Sequence, residues 1–412
     1  MPLKKHHIEI AQYFIVFIPA MVYFYFLNKY ALDIPSQDDY VAILDFLSRW
    51  SQAHGWDKFY GIFAFHNEHR ILSSRIIYVL YYRIFGTINF RHIIFIGNTQ
   101  LVFIFLLLIY FIRRLLPKDW FVAALITGVA LFDLNNWENT CFAMASMQNF
   151  GIVFLFLLSL FLYSLNGNLF TVMAVVVQVV CTYSSGNGIV ASGFIVLFNL
   201  LNKNKLKSYT SIFALLIFAP LYFHHYDPPP TGHPSRNILQ VAMFLFRFIG
   251  NHIYFNSQLT GIIAGVCVCL GLVYTTFNRR ALSDSKLIPL MCLAGFLLVT
   301  MALTSVFRSN PEGYISSRYL IYPHLLFGLV LIFLLVRTQG MIRGALVVLF
   351  PVVMLIAYNM NFRGGLWPLR DRYALIKDSD YYYPDKQYAK NATDTACHLN
   401  IYCIDKHRTP KP

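Results

Sequence analysis

What most constrains this chain is the recurrence, from one end to the other, of apolar runs long enough to cross a bilayer. A hydrocarbon layer of ~30 Å takes about 20 mostly apolar residues per helix, and with no water inside it each backbone polar group must be satisfied within the helix. Such runs lie near 8–31, 91–112, 120–134, 148–165, 169–183, 189–202, 209–224, 258–277, 287–306, 319–336 and 344–360. Formed as helices, they predict an all-α polytopic membrane protein of about eleven spans. The third, fifth and sixth are short for a full crossing and require tilt or extension into polar flanks. Composition agrees: 57% of residues are hydrophobic, 17% aromatic and only 13% charged, with a mean hydropathy of +0.54. The first run follows Lys4-Lys5, is too long for a signal-peptide core and has no small-residue cleavage site, so it is read as helix one.

Orientation follows from the basic residues of the short loops. Threaded through eleven spans, Lys4-Lys5, Arg113-Arg114 with Lys118, Lys203-Lys205-Lys207, Arg279-Arg280, and Arg337 with Arg343 fall on one side, read as cytoplasmic together with the N-terminus. The other side receives the loop 32–90, the turn 135–147, the loop 225–257, the turn 307–318 and the tail from 361, so the chemistry and the C-terminus are expected there. Residues 1–360 form one transmembrane domain, 32–90 its first outer loop and 361–412 a short outer tail. The net charge of +14 is divided among short loops instead of forming one stripe, which argues against nucleic acid and for a topology signal facing anionic membrane lipids. Five of the seven cysteines lie in or beside spans, as small hydrophobes. Cys397 and Cys403 lie in the polar tail, where an oxidising compartment would permit a small disulfide loop; a zinc site is disfavoured with only His398 and His407 nearby.

The first outer loop holds the densest set of reactive side chains. It opens with Asp38 and Asp39 in Pro35-Ser-Gln-Asp-Asp-Tyr40, just beyond helix one. Residues 41–50 carry apolar positions at helical spacing and read as an amphipathic juxtamembrane helix. A second follows Arg70, with Ile71, Ile76, Ile77, Val79 and Leu80 facing inward and Ser73, Ser74, Arg75 and Arg83 outward. Between them lies Phe65-His66-Asn67-Glu68-His69-Arg70, suited to an anionic lipid-linked headgroup but lacking the one-turn His spacing of a metalloprotease. Elsewhere, Arg318-Tyr319 at the mouth of span ten could clamp phosphate and stack on a sugar, or serve as snorkelling arginine and belt tyrosine. Trp137, Glu138 and Gln148 could touch an acceptor, though a belt tryptophan beside a solvated acid explains the first two. Tyr183-Ser-Ser-Gly-Asn-Gly188 reads as a tight outer turn and Pro228-Pro229-Pro230 as a stiff loop element. No Walker motif, dinucleotide fingerprint or Gly-x-Ser-x-Gly elbow occurs, and the inner loops are too short for a nucleotide-binding domain.

An acid pair close behind helix one, two juxtamembrane helices in the first outer loop and a many-span scaffold resemble the GT-C superfamily of membrane glycosyltransferases. Size and a short tail are most similar to the serotype-converting O-antigen glucosyltransferases of bacteria and their phages. The resemblance implies a bacterial inner-membrane enzyme that moves a hexose, glucose first, from a polyprenyl-phosphate donor to a lipid-linked periplasmic glycan with inversion. It implies a first-loop carboxylate as general base, Asp39 ahead of Asp38, with a neighbouring acid orienting a basic group or a divalent ion such as Mg or Mn. Arg70, Arg318 and His69 would stabilise the departing phosphate, with His66, Glu68, Tyr319, Trp137, Glu138 and Gln148 around the sugars. A purely structural alternative has both acids capping the helix that follows them. Two other functions fit the class: a lipid-linked-glycan flippase or transporter, which would need ionisable residues mid-span, and an O-antigen polymerase or ligase, which would place key arginines in a later outer loop.

Overall fold

The computed structural model describes residues 2–226, 234–235, 237–254, 257–276, 284–309 and 314–404, with no description of the side chains of residues 2–6 and 8. The Pro228-Pro229-Pro230 run, Arg279-Arg280 and His407 lie outside the described residues.

Helices α1 (Pro2–Val16) and α2 (Ile18–Tyr30) make one apolar rod with a joint at Phe17, where Pro19 in the first turn of α2 has no N–H to carry the ladder on. The first loop then folds as a π-helical turn (Tyr40–Asp45), α3 (Phe46–Gln52), α4 (Trp56–Phe63), a two-residue hairpin of β1 (Phe65–His66) and β2 (His69–Arg70), and α5 (Leu72–Phe85). Next come α6 (Phe90–Leu115), α7 (Trp120–Leu131), α8 (Glu138–Cys141), α9 (Ala143–Ser164), α10 (Asn168–Thr182), α11 (Gly188–Leu201), α12 (Lys205–Tyr222) and α13 (Ile238–Gly250). The chain continues through α14 (Gln258–Thr276), α15 (Ile288–Arg308), α16 (Ile321–Arg337), α17 (Gly340–Asp378) and α18 (Lys386–His398).

Among the described residues seven helices are long and apolar enough to cross a membrane: Glu9–Tyr30, Phe90–Leu115, Ala143–Ser164, Gln258–Thr276, Ile288–Arg308, Ser317–Arg337 and Gly340–Asp378. Shorter apolar helices lie at Trp120–Asn136, Asn168–Thr182, Gly188–Leu201 and Ile238–Gly250. The core is built by α9, α6, α7, α15 and α16, whose inward faces include Phe105, Phe132, Phe156 and Phe296. Small residues let backbones meet where α13 crosses α14: a Cβ on Gly250 would fall 1.8 Å from the Gly261 carbonyl oxygen, and one on Gly265 would fall 1.8 Å from that of Phe246. The bundle has two ends. Asp119 pairs with Arg343 and Glu9 with Arg113 at the basic end, while the N-termini of α9 and α16 and the C-terminus of α15 meet the first loop at the other.

The fold departs from expectation in four places. Helix α4 was not anticipated; it exposes Trp56, Phe59 and Tyr60. Helix α5 forms, but Ser74 and Arg75 are buried and Leu80 is exposed. The cause is the Arg75 guanidinium, which donates to the carbonyls of Gly61, Ala64 and Phe65 and so must face the loop it holds. The expected loop 225–257 contains the apolar helix α13. The expected tail is not separate, because α17 runs 39 residues without a break, through Pro351 and Pro368, and its last turns pack on Trp137 and Tyr30. Beyond it, Cys397 and Cys403 are joined in a disulfide. The closing segment is laced to the first loop by Gln37 N–H to Tyr382 O at 2.9 Å, Tyr402 Oη–H to Asp33 O at 2.8 Å and Ile88 N–H to Ile401 O at 2.8 Å.

Candidate functional site

The two acids are adjacent in sequence and opposite in environment. Asp39 has no exposure. Its Oδ1 accepts the Met144 N–H at 2.8 Å, and its Oδ2 accepts those of Ser36 at 3.2 Å and Ala143 at 3.4 Å. Ala143 and Met144 begin α9, whose first N–H groups have no partner inside the helix and whose dipole favours an anion. Asp39 therefore caps α9, a helix far along the chain, and makes no side-chain cap bond to the helical turn that follows it. Burial raises its pKa to about 7, against the lowering effect of the three N–H groups.

Asp38 faces the other way. Its carboxylate is partly exposed and its Oδ2 lies 3.7 Å from Nη1 of Arg318. The hairpin between α4 and α5 delivers the rest: His66 and His69 are paired across β1 and β2, with Asn67 at φ 50° in the turn. Glu68 receives the Arg308 guanidinium from the end of α15 and lies 3.6 Å from Nε2 of His69. Burial lowers the pKa of His66 to about 4 despite the opposing field of Asp38, and burial likewise lowers that of His69 despite Glu68. Both imidazoles are thus neutral at pH 7. His66 Nε2 and His69 Nδ1 are buried with no hydrogen-bond partner among the described residues. Gly186 makes room for the His69 ring, since a Cβ there would lie 2.5 Å from Nδ1.

Glu138 serves as a brace. Its Oε2 accepts Arg318 N–H and Ser317 Oγ–H, each at 2.9 Å, and also the Ser316 hydroxyl, fixing the segment that presents Arg318. Asn139 adds a bond to the Arg318 carbonyl at 3.2 Å and is itself tied through Asn98 to Tyr23. Tyr319 has its ring beneath the Arg318 guanidinium at 5.4 Å. Trp137 is buried under Arg372 of α17, at 5.1 Å, and Gln148 is buried and bonded to Ser185 at 3.3 Å.

Of the residues singled out in the sequence, Asp38, His66, Glu68, His69 and Arg318 come together in one electrostatic cluster. Arg70 does not join it. Its guanidinium donates to the carbonyls of Phe63, Tyr222 (2.7 Å) and His224 and lies 4.0 Å from the Phe65 ring centre, between the tyrosines 183 and 222. With three of its five N–H groups engaged in this way, it locks α4 and the hairpin to the end of α12. Among the described residues no group of three or more His, Cys, Asp or Glu side chains could hold a metal ion. Both Asp39 oxygens face N–H donors, so the acid pair does not form a shared cation site.

Three contributors escaped the sequence reading. Arg308 was detectable as a basic residue closing span nine on the outer side. Arg372, seated over Trp137 and Tyr382, and Tyr383, within the field of Asp38, come from beyond residue 361 and had no local signal.

A bundle of apolar helices carrying a polar, partly enclosed cluster at one end defines an all-α polytopic membrane protein. Compared with protein-family models, curated proteins and solved structures, the chain matches none.

Proposed function

We propose that this protein is a GT-C-like hexosyltransferase of a bacterial inner membrane, threaded eleven times with its acid cluster on the periplasmic side. It transfers a hexose, glucose first, from a polyprenyl-phosphate donor to a glycan acceptor such as lipid-linked O-antigen. The observation that carries the reading is the division of labour between the two acids: Asp38 is partly exposed beside Arg318, whereas Asp39 is sequestered on the first turn of α9. Asp38, not Asp39, is accordingly the general base in this scheme.

In the reaction the acceptor hydroxyl oxygen forms a bond to the anomeric carbon as that carbon's bond to the phosphate oxygen breaks. The hydroxyl proton passes to Asp38 and the electron pair leaves with polyprenyl phosphate, whose growing charge is met by Arg318 and Arg308. A positioned base of this kind is worth ~10² to 10⁴ in rate. The neutral rings of His66 and His69 supply directional hydrogen bonds for sugar hydroxyls without adding charge. A flippase or transporter reading finds less support, since the charged cluster lies at the bundle's end.

The test is mass spectrometry of surface glycan from cells producing wild type, Asp38→Asn or Asp39→Asn at matched membrane levels. A hexose added by wild type, lost with Asp38→Asn and retained at reduced level with Asp39→Asn, is expected. Unchanged glycan in all three, in a host with donor and acceptor, would overturn the reading.

A further inference from the structure

At the end of the bundle opposite the acid cluster, the structure has a second polar site. The C-terminal turns of α6, α9 and α11 and the N-terminal ends of α12 and α15 surround a cavity of about 170 Å³. That space accommodates a phosphate group.

Its lining is cationic. Arg114, Lys207 and Lys286 all contribute, and among the described residues none of the three is paired with a carboxylate. Lys207 Nζ donates to the carbonyls of Tyr163 at 2.7 Å and Leu165 at 2.6 Å, which fixes the ammonium in place and leaves one proton over. Asn199 is buried in the wall, and its Nδ2 has no hydrogen-bond partner among the described residues. A buried amide donor without a partner is destabilising unless something fills the gap. The first turns of α12 and α15 add the positive ends of two helix dipoles. The nearest acid in sequence, Asp284, turns its Oδ1 to the Lys286 N–H at 2.9 Å.

We propose that this cavity is a binding site for a phosphate-bearing anion, held by Lys207, Lys286 and Arg114 with Asn199 as a neutral donor. Basic pockets between helices at a membrane surface suit phospholipid headgroups. The exposed Leu206 and Tyr209 beside Lys207 offer an apolar surface for acyl chains. A free phosphate would use the same donors, so the experiment has to separate the two sources.

Full-length protein in detergent would be mixed with equal amounts of phosphatidylglycerol and phosphatidylcholine and examined by native mass spectrometry. In parallel, its melting temperature would be followed with inorganic phosphate. Lys286→Glu and Asn199→Leu would be compared with Lys377→Glu, an exposed charge reversal away from the cavity. A lipid site predicts preferential retention of phosphatidylglycerol by wild type and Lys377→Glu, falling about tenfold in the two cavity variants. A soluble-phosphate site predicts no lipid preference and a rise in melting temperature with phosphate, absent from both cavity variants. Lys286 is on the surface, so its variant carries the test even if Asn199→Leu folds poorly. No lipid preference and no phosphate effect, or an equal loss in Lys377→Glu, would overturn the proposal.

Discussion

Asp39 Oδ1 accepts the backbone N–H of Met144 at 2.8 Å, across a sequence separation of 105 residues. One hydrogen bond thus ties the first loop to the start of the most deeply buried long helix, and it fixes where the neighbouring Asp38 can point.

The Asp39 carboxyl gives a pH signature. Its folded-state pKa, raised by burial to about 7, exceeds the ordinary value, so between about pH 4 and 7 the folded state holds more protons than the unfolded chain. Stability contributed by this group is full below pH 4 and is lost as pH rises through 7. Asp39→Asn removes that slope. The melting temperature of wild type minus variant, measured in detergent from pH 4.5 to 8, should fall with rising pH. A flat difference would contradict the buried placement. Taking the difference also cancels His66, which acts with the opposite sign between about pH 4 and 6.5.

Asp38→Asn and Arg318→Lys are expected to leave folding intact while lowering transfer by about 10² or more, through loss of the base and of a planar charge-assisted clamp respectively. Thermal melting alongside the glycan assay checks both halves. A melting temperature that drops together with activity would mean the pair is structural.

Arg70→Ala should behave in the opposite manner. Three carbonyls lose their shared partner, and the expected cost is about 2–4 kcal/mol, read as lower melting temperature and poorer membrane yield. Arg308→Ala, whose side chain is half exposed, should fold normally.

Reducing the Cys397–Cys403 bond, or replacing Cys403 by Ser, should loosen the segment that closes over the first loop. A ring with a sequence separation of 6 is worth about 2 kcal/mol by chain entropy. Limited proteolysis near Tyr381–Tyr383 should accelerate, and wild type treated with a reductant should match the variant.

Much of the bundle was legible because membrane helices must be long, apolar and internally hydrogen-bonded, which leaves a strong local pattern. The hairpin cluster was also visible, since His66, Glu68 and His69 are close in sequence. What could not be read depends on distant partners. The buried face of α5 is set by carbonyls that Arg75 finds in the preceding loop. Helix α17 continues through Gly364, Gly365 and Pro368, residues that ordinarily signal a break, because Gly365 lies flat against the Leu134 carbonyl and a Cβ there would come within 2.2 Å of it. The separation of the two acids into a buried cap and a solvent-facing group was equally hidden, as adjacent residues differ only in what the rest of the fold brings to them.

The lacing of residues 33–37 and 88 to 382–402 has a consequence for biogenesis. A ribosome delivers the first loop long before the segment that covers it, so the acids, the histidine hairpin and Trp137 must wait, membrane-inserted yet uncovered, until α17 has been threaded and Arg372 and Tyr383 emerge. The cluster is therefore completed by a part of the polypeptide made long after the first loop. A nascent chain halted before α17 has Asp38 and Arg318 but no roof over them.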